Sequence, residues 1–174
     1  MIYGGSEYSY ARDPDFVEVS RDKNFWKEVI EKFYDKYRGI AAVHQAWMNQ
    51  VQVHQRLVMP TGREYAFTLT DRGEWPRTQI LNYPVQGLGA DLMAIIRILA
   101  RRYLDEKYKI VSTVHDSIYT EVAPEDPPEA VREAYQRAFA EAPEAFRKAF
   151  GYQFNLPLRC EITIGRNMHD MEPF

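Results

Sequence analysis

The chain of 174 residues has a single cysteine, Cys160, so no internal disulfide can brace it. It has no apolar run of the ~20 residues that a membrane-crossing helix requires. The most apolar helix-like stretch, LMAIIRILA, is far shorter and carries Arg97 in its middle. The opening MIYGGSEYSYARDP lacks the basic start and apolar core of a secretory signal. Repeats and low-complexity tracts are also missing. These absences argue against an exported, membrane-spanning or disordered protein and lead us to expect a soluble chain in a reducing cytoplasm. What is present fits that expectation: 45% hydrophobic residues, with aromatics spread along the whole length, suffice for a buried core in one domain or in part of a larger one.

Neither sign of charge dominates. The net charge of −3 speaks weakly against a nucleic-acid partner, but the charge is unevenly distributed. Between Val51 and Ile110, nine Lys or Arg face six Asp or Glu, a local +3 that leaves −6 for the remainder. The middle of the chain can face phosphates, or it can be an ordinary solvated surface of mixed charge.

Periodicity predicts the elements. Phe25, Trp26, Val29, Ile30, Phe33, Tyr34 and Tyr37 recur at helical spacing from Lys23 to Tyr37. Gly39 is expected to interrupt that helix, and a second is expected from Ile40 to about Gln52, presenting Val43, Trp47 and Val51. RLVMPTGREYAF reads as a hairpin turning on Pro60, Thr61 and Gly62. Within NYPVQGLGADLMAIIRILARRYLDE, Asn82 is expected to cap a helix whose first turn tolerates Pro84, with Leu88, Leu92, Ile95, Ile96, Leu99 and Tyr103 as its apolar face. Such a face needs a partner to cover it. Pro124 to Pro128 reads as a linker, Glu129 to Phe150 as a helix bent or divided by Pro143, and LRCEITIG as a final strand. The glycine pair Gly4 and Gly5 reads as the close of an upstream helix.

IVSTVHDSIYTEV poses the functional question. Strand alternation sets Ile118, Thr120 and Val122 on one face and Ser117, Tyr119 and Glu121 on the other, which leaves His115 and Asp116 at a tight turn. Aspartate is a common turn residue. Yet the usual hairpin glycine is missing, and an imidazole flanks the acid, so the tip carries two groups able to coordinate or orient a ligand. Taken alone, the stretch leaves both readings open.

VHDS, preceded by LNYPVQGLGADLMAI and by the opening IYGG, resembles the family A DNA polymerases, those similar to bacterial DNA polymerase I and many phage replicative enzymes. MPTGREYAF and EITIGRN extend the likeness over nearly the whole chain, in the family's order. The resemblance implies the C-terminal fingers and palm portion of a polymerase domain. About residues 1–70 would be fingers-side helices and hairpin, and about 71–174 palm. The fold implied is α+β, an antiparallel palm sheet packed against long helices. Asp116 would be the palm aspartate that binds catalytic Mg²⁺ in a two-metal site, and His115 its neighbour at the primer terminus. Gln86 and Asn82 would approach the minor groove and backbone of primer-template DNA, Arg77 would lie near a DNA-contacting arginine, and Tyr3 near the templating base. Ser117 departs from the glutamate usual in cellular members.

The family's first palm aspartate and the triphosphate-holding residues of its fingers helix have no counterpart here. One carboxylate cannot anchor two metal ions. The expectation is therefore a C-terminal subunit or fragment of a template-directed DNA polymerase, acting on primer-template DNA and dNTPs and inactive without a second polypeptide. Two alternatives remain: a non-catalytic nucleic-acid-binding or scaffold module derived from a palm, and a stand-alone metal-dependent hydrolase using Asp116 with His115 or His44.

Overall fold

A computed structural model describes residues 4–154 and 156–174. The chain is α+β, in the order α1 (Glu7–Tyr10), α2 (Lys23–Lys36), α3 (Arg38–His54), β1 (Arg56–Val58), β2 (Glu64–Ala66), α4 (Arg77–Tyr103), β3 (Lys109–Val114), β4 (Ser117–Glu121), α5 (Glu129–Phe150), β5 (Thr163–Gly165) and β6 (Met171–Pro173). It packs as two compact units, one ending at Gly87 and the other starting at Leu88, the division falling inside α4. The strands form three antiparallel pairs among the described residues: β1 with β2, β3 with β4, and β5 with β6.

In the first unit, α2 starts where Asp22 caps the Asn24 amide and ends at Tyr37, whose backbone leaves the helical region. Tyr37, not Gly39, is the break, and α3 begins at once with Gly39 in its first turn, where a glycine costs little. α3 also buries His44 rather than Val43, which is exposed; the His44 Nδ1 lies 3.0 Å from the Tyr34 hydroxyl of α2. The expected hairpin is present. Gly62 takes the left-handed conformation (φ +81), and the Met59 amide donates to the Arg63 carbonyl to close the turn. Leu57 and Phe67 carry the hairpin into a core with Val51, Ile80 and Leu81.

That core explains why α4 is longer than expected. Its first hydrogen bond runs from the Ile80 amide to the Pro76 carbonyl, so the helix starts a turn or more before Asn82. Ile80 and Leu81 are fully buried, and their burial holds an extra turn that Pro84 alone would disfavour. Asn82 is thus not the cap; it lies inside the helix. Gly4 has a positive φ (+74) and accepts weakly from Thr78, but any helix upstream of it falls outside the described residues.

The second unit is built on α4 and α5. Ile96, Leu99, Ala100 and Leu104 pack against Val131, Ala134, Tyr135, Ala138 and Ala142, the alanines letting the helices approach closely. α5 has the expected bounds, ends on left-handed Gly151 (φ +76), and runs unbroken through Pro143. Between the helices the Tyr103 hydroxyl donates to Glu141, a bond that raises the phenol above its usual pKa, and the Arg137 guanidinium sits 4.0 Å over the Tyr103 ring. At the C-terminal end the expected strand shrinks to β5: Leu158 packs singly on the core, Ile162 packs there too while its carbonyl accepts from the Phe174 amide, and β6 arises as the unexpected mate of β5.

One polar contact ties the β3–β4 pair to this helical layer. The Thr120 hydroxyl of β4 lies 2.7 Å from the buried Tyr135 hydroxyl of α5, and burial raises the Tyr135 pKa above the usual phenol value. Tyr135→Phe strands the Thr120 oxygen and should cost about 1 kcal/mol, the net worth of such a bond. Urea unfolding checks this; an unchanged midpoint would show that the bond contributes nothing.

Candidate functional site

The hairpin from Lys109 to Glu121 displays its turn by burying one side. Val114 pairs with Ser117, so His115 and Asp116 are the whole two-residue turn. Ile110, Ile118 and Val122 lean on the α4–α5 core, which leaves the tip in water. The expected facing of Ile118, Thr120 and Val122 is observed. Histidine replaces the usual glycine by adopting the left-handed conformation itself, with φ +52. That region is uncommon for residues with a Cβ, and His, Asn and Asp enter it more readily than most. Pairing shifts between Ile110 and Ser112, so Val111 is an extra, bulged residue.

Asp116 is exposed, and among the described residues nothing engages its carboxylate by hydrogen bond or ion pair. It is a hard oxygen donor held at the end of a rigid hairpin, the chemistry that suits Mg²⁺. No group of three or more His, Cys, Asp or Glu able to hold a metal is found among the described residues. His44, the other histidine considered for metal chemistry, is buried against Tyr34 and Trp47 and serves packing.

The remaining expected DNA contacts belong to α4 and the first unit. Arg77 is its exposed first residue. Asn82 and Gln86 lie one turn apart on one face of the helix. The Asn82 Oδ1 is buried and has no hydrogen-bond partner among the described residues. Gln86 is exposed and borders a shallow cleft of about 380 Å³ with Tyr65, Tyr83 and Gly87. Tyr3 lies outside the described residues.

A second concavity was not anticipated. Arg97, Ile98, Arg101 and Arg102 of α4 face Ile110 to Thr113 of β3 across an open groove of about 760 Å³. Three of the nine basic residues of the central segment meet there. Their i, i+4 spacing at Arg97 and Arg101 was the available signal.

A family model described as DNA polymerase family A matches residues 1–170. The chain belongs to DNA polymerase family A. No match was found among curated proteins or among solved structures. For this family A chain, a polymerase-related, nucleotidyltransferase kind of function follows, with DNA and dNTPs as the partners the family suggests. Among the described residues, no helix is long and apolar enough to cross a membrane.

Two outcomes test the geometry. Asn82→Ala removes an unsatisfied buried oxygen and adds helix propensity, so stability should hold or rise by about 1 kcal/mol, whereas loss of a true cap would lower it by a similar amount. His115→Gly relieves a left-handed residue and should leave the melting temperature unchanged or higher; His115→Val, β-branched, should cost about 1–2 kcal/mol. A Val variant as stable as the parent would mean that the turn does not hold that conformation in solution.

Proposed function

We propose that the chain is the C-terminal part, palm included, of a phage-type template-directed DNA polymerase, and that a second polypeptide carries the rest of the active site. In this reading about residues 1–70 are fingers-side elements and about 71–174 the palm. Asp116 is the metal-binding carboxylate and His115 contacts the primer terminus. The observation that carries the reading is the Asp116 carboxylate, solvent-facing on a two-residue turn in a chain whose family performs nucleotidyl transfer.

Magnesium, when bound, would supply positive charge to the attacking and leaving oxygens. The chain's own task is positional. The core under Ile110, Ile118 and Val122 fixes the height of the tip, and His115 sets its direction through its backbone. Gln86 and Asn82 present amides on one helix face, suited to minor-groove acceptors that every base pair shares, so that pairing is checked without reading sequence. Arg77 adds a cation at the start of the same helix, and Tyr3 is assigned to the templating side on the family likeness alone.

Two features support a partner chain. β3 is paired on one edge only among the described residues. Beside it, Ile98 and Val111 remain 54% and 59% exposed next to three arginines. An open strand edge with apolar neighbours is a template for pairing with another chain.

The second reading, a non-catalytic nucleic-acid-binding module, draws on the same arginine groove and on the single carboxylate. It predicts salt-sensitive DNA binding with no synthesis under any combination of chains. Reconstitution with the polypeptide supplying the missing aspartate separates the two. Mg²⁺-dependent primer extension should appear on mixing, and Asp116→Asn, which keeps shape and loses charge, should reduce it roughly 10³-fold or more, a loss of several kcal/mol of transition-state stabilisation. A mutant extending primers at the parental rate would end the assignment of Asp116.

A further inference from the structure

The groove between α4 and β3 gathers charge, apolar surface and open backbone in one place. Arg97, Arg101 and Arg102 line it, all three exposed, and none has a carboxylate partner among the described residues. The Arg101 Nη1 donates only to the Leu104 carbonyl, at 3.4 Å. Ile98 and Val111 line the same groove and stay more than half exposed. The backbone follows from the register. A two-residue turn is closed by hydrogen bonding between its flanking residues, here Val114 and Ser117, and the rungs of an antiparallel ladder alternate. Thr113, one rung further and opposite Ile118, therefore directs its N–H and C=O away from β4 toward the open edge.

This combination selects its occupant. A phosphate backbone would meet the arginines, but its oxygens only accept hydrogen bonds, so it cannot answer the outward carbonyls, and it offers Ile98 and Val111 no apolar cover. A second copy of this chain is disfavoured by charge, because two β3 edges paired with each other would bring both sets of arginines together. An extended acidic polypeptide meets all three demands. It supplies donors and acceptors to the edge at strand spacing. Arg97 and Arg101 stand about 6 Å apart along the helix axis, at ~1.5 Å per residue. That is close to the ~6.8 Å between alternate residues of a strand, so carboxylates on one strand face fall into step with them.

We propose that this groove takes an extended segment of a second polypeptide, which adds to the outer edge of β3 and turns toward α4 a face of carboxylates with an aliphatic residue among them. The other open edge of the pair, on β4, is not involved. The proposal deepens the partner-chain reading above and rests on it.

The probe is a synthetic peptide with Glu, Val and Glu at alternate positions and threonines between and around them, titrated to millimolar concentration into the full ¹⁵N-labelled chain. Amide shifts should concentrate in residues 97–102 and in β3. Arg97→Ala with Arg101→Ala should weaken binding roughly three- to tenfold, and glutamate at both positions should abolish it. Both side chains are exposed, and unchanged amide positions elsewhere in the spectrum check that the variants fold. A peptide with lysines for the glutamates should not bind. Nor should the acidic peptide N-methylated throughout, which keeps its side chains and loses its donors.

No shift in the groove, or an equal response to either control peptide, overturns the proposal. A tighter response of the same amides to a single-stranded oligonucleotide would make the groove a phosphate site, and their response to concentrating the chain alone would make it a contact between copies; either outcome overturns it as well. Peptide binding combined with failed primer extension on reconstitution would keep the groove assignment and end the polymerase reading of the partner. Extension restored without peptide binding would do the reverse.

Discussion

Burial of three aliphatic side chains under a short hairpin governs what this chain can do. Ile110, Ile118 and Val122 give up water to lie on the α4–α5 core, and alternation then forces the turn residues outward. A carboxylate is costly to bury and cheap to expose, and the same arrangement leaves Asp116 at the solvent-facing turn. The Thr120 and Tyr135 hydroxyls pair within that otherwise apolar contact and so restrict the ways the hairpin can seat. Without this footing the acid would sit on a two-stranded ribbon, which is marginal by itself in water.

The first unit solves a related problem by different means. There an amide-bearing helical turn is indexed to a hairpin through a glycine rather than through aliphatic burial. Both devices set a small polar group on a rigid element, which is more precise than a loop. Family membership and the exposed carboxylate agree in direction: polymerase chemistry needs few covalent steps from the protein and much exact positioning.

How far residues alone reveal such an object depends on the range of the interaction involved. The hairpin at His115 and Asp116, the bounds of α5 and the Gly62 turn were legible, because alternation, helical spacing and turn chemistry are local. The start of α4 was not. Asn82 and Pro84 carry a strong capping signature, yet Ile80 and Leu81 find a core contributed by Val51, Leu57 and Phe67, and this distant burial outweighs the local preference. Gly39 misled for a similar reason, since a weak helix former was read as a break that belongs to Tyr37. The last strand was overextended because Leu158 and Ile162 alternate like strand residues but are spent on the helical core. At the candidate site, motif likeness singled out Asp116 and Gln86. The Tyr65 and Tyr83 walls were not, since two segments well apart in sequence must meet to form them.

The bulge at Val111 shapes the outer strand in a further way. The surplus residue, Val111, has no partner on β4 and lines the groove 59% exposed, beside Ile110, which borders the groove and also packs on the helical core. Length is thereby locked between that irregularity and the reversal at His115. Trimming a residue from the intervening run would swing Ser112, Thr113 and Val114 to the opposite side, leaving the acid's supporting strand with its greasy and wet surfaces exchanged.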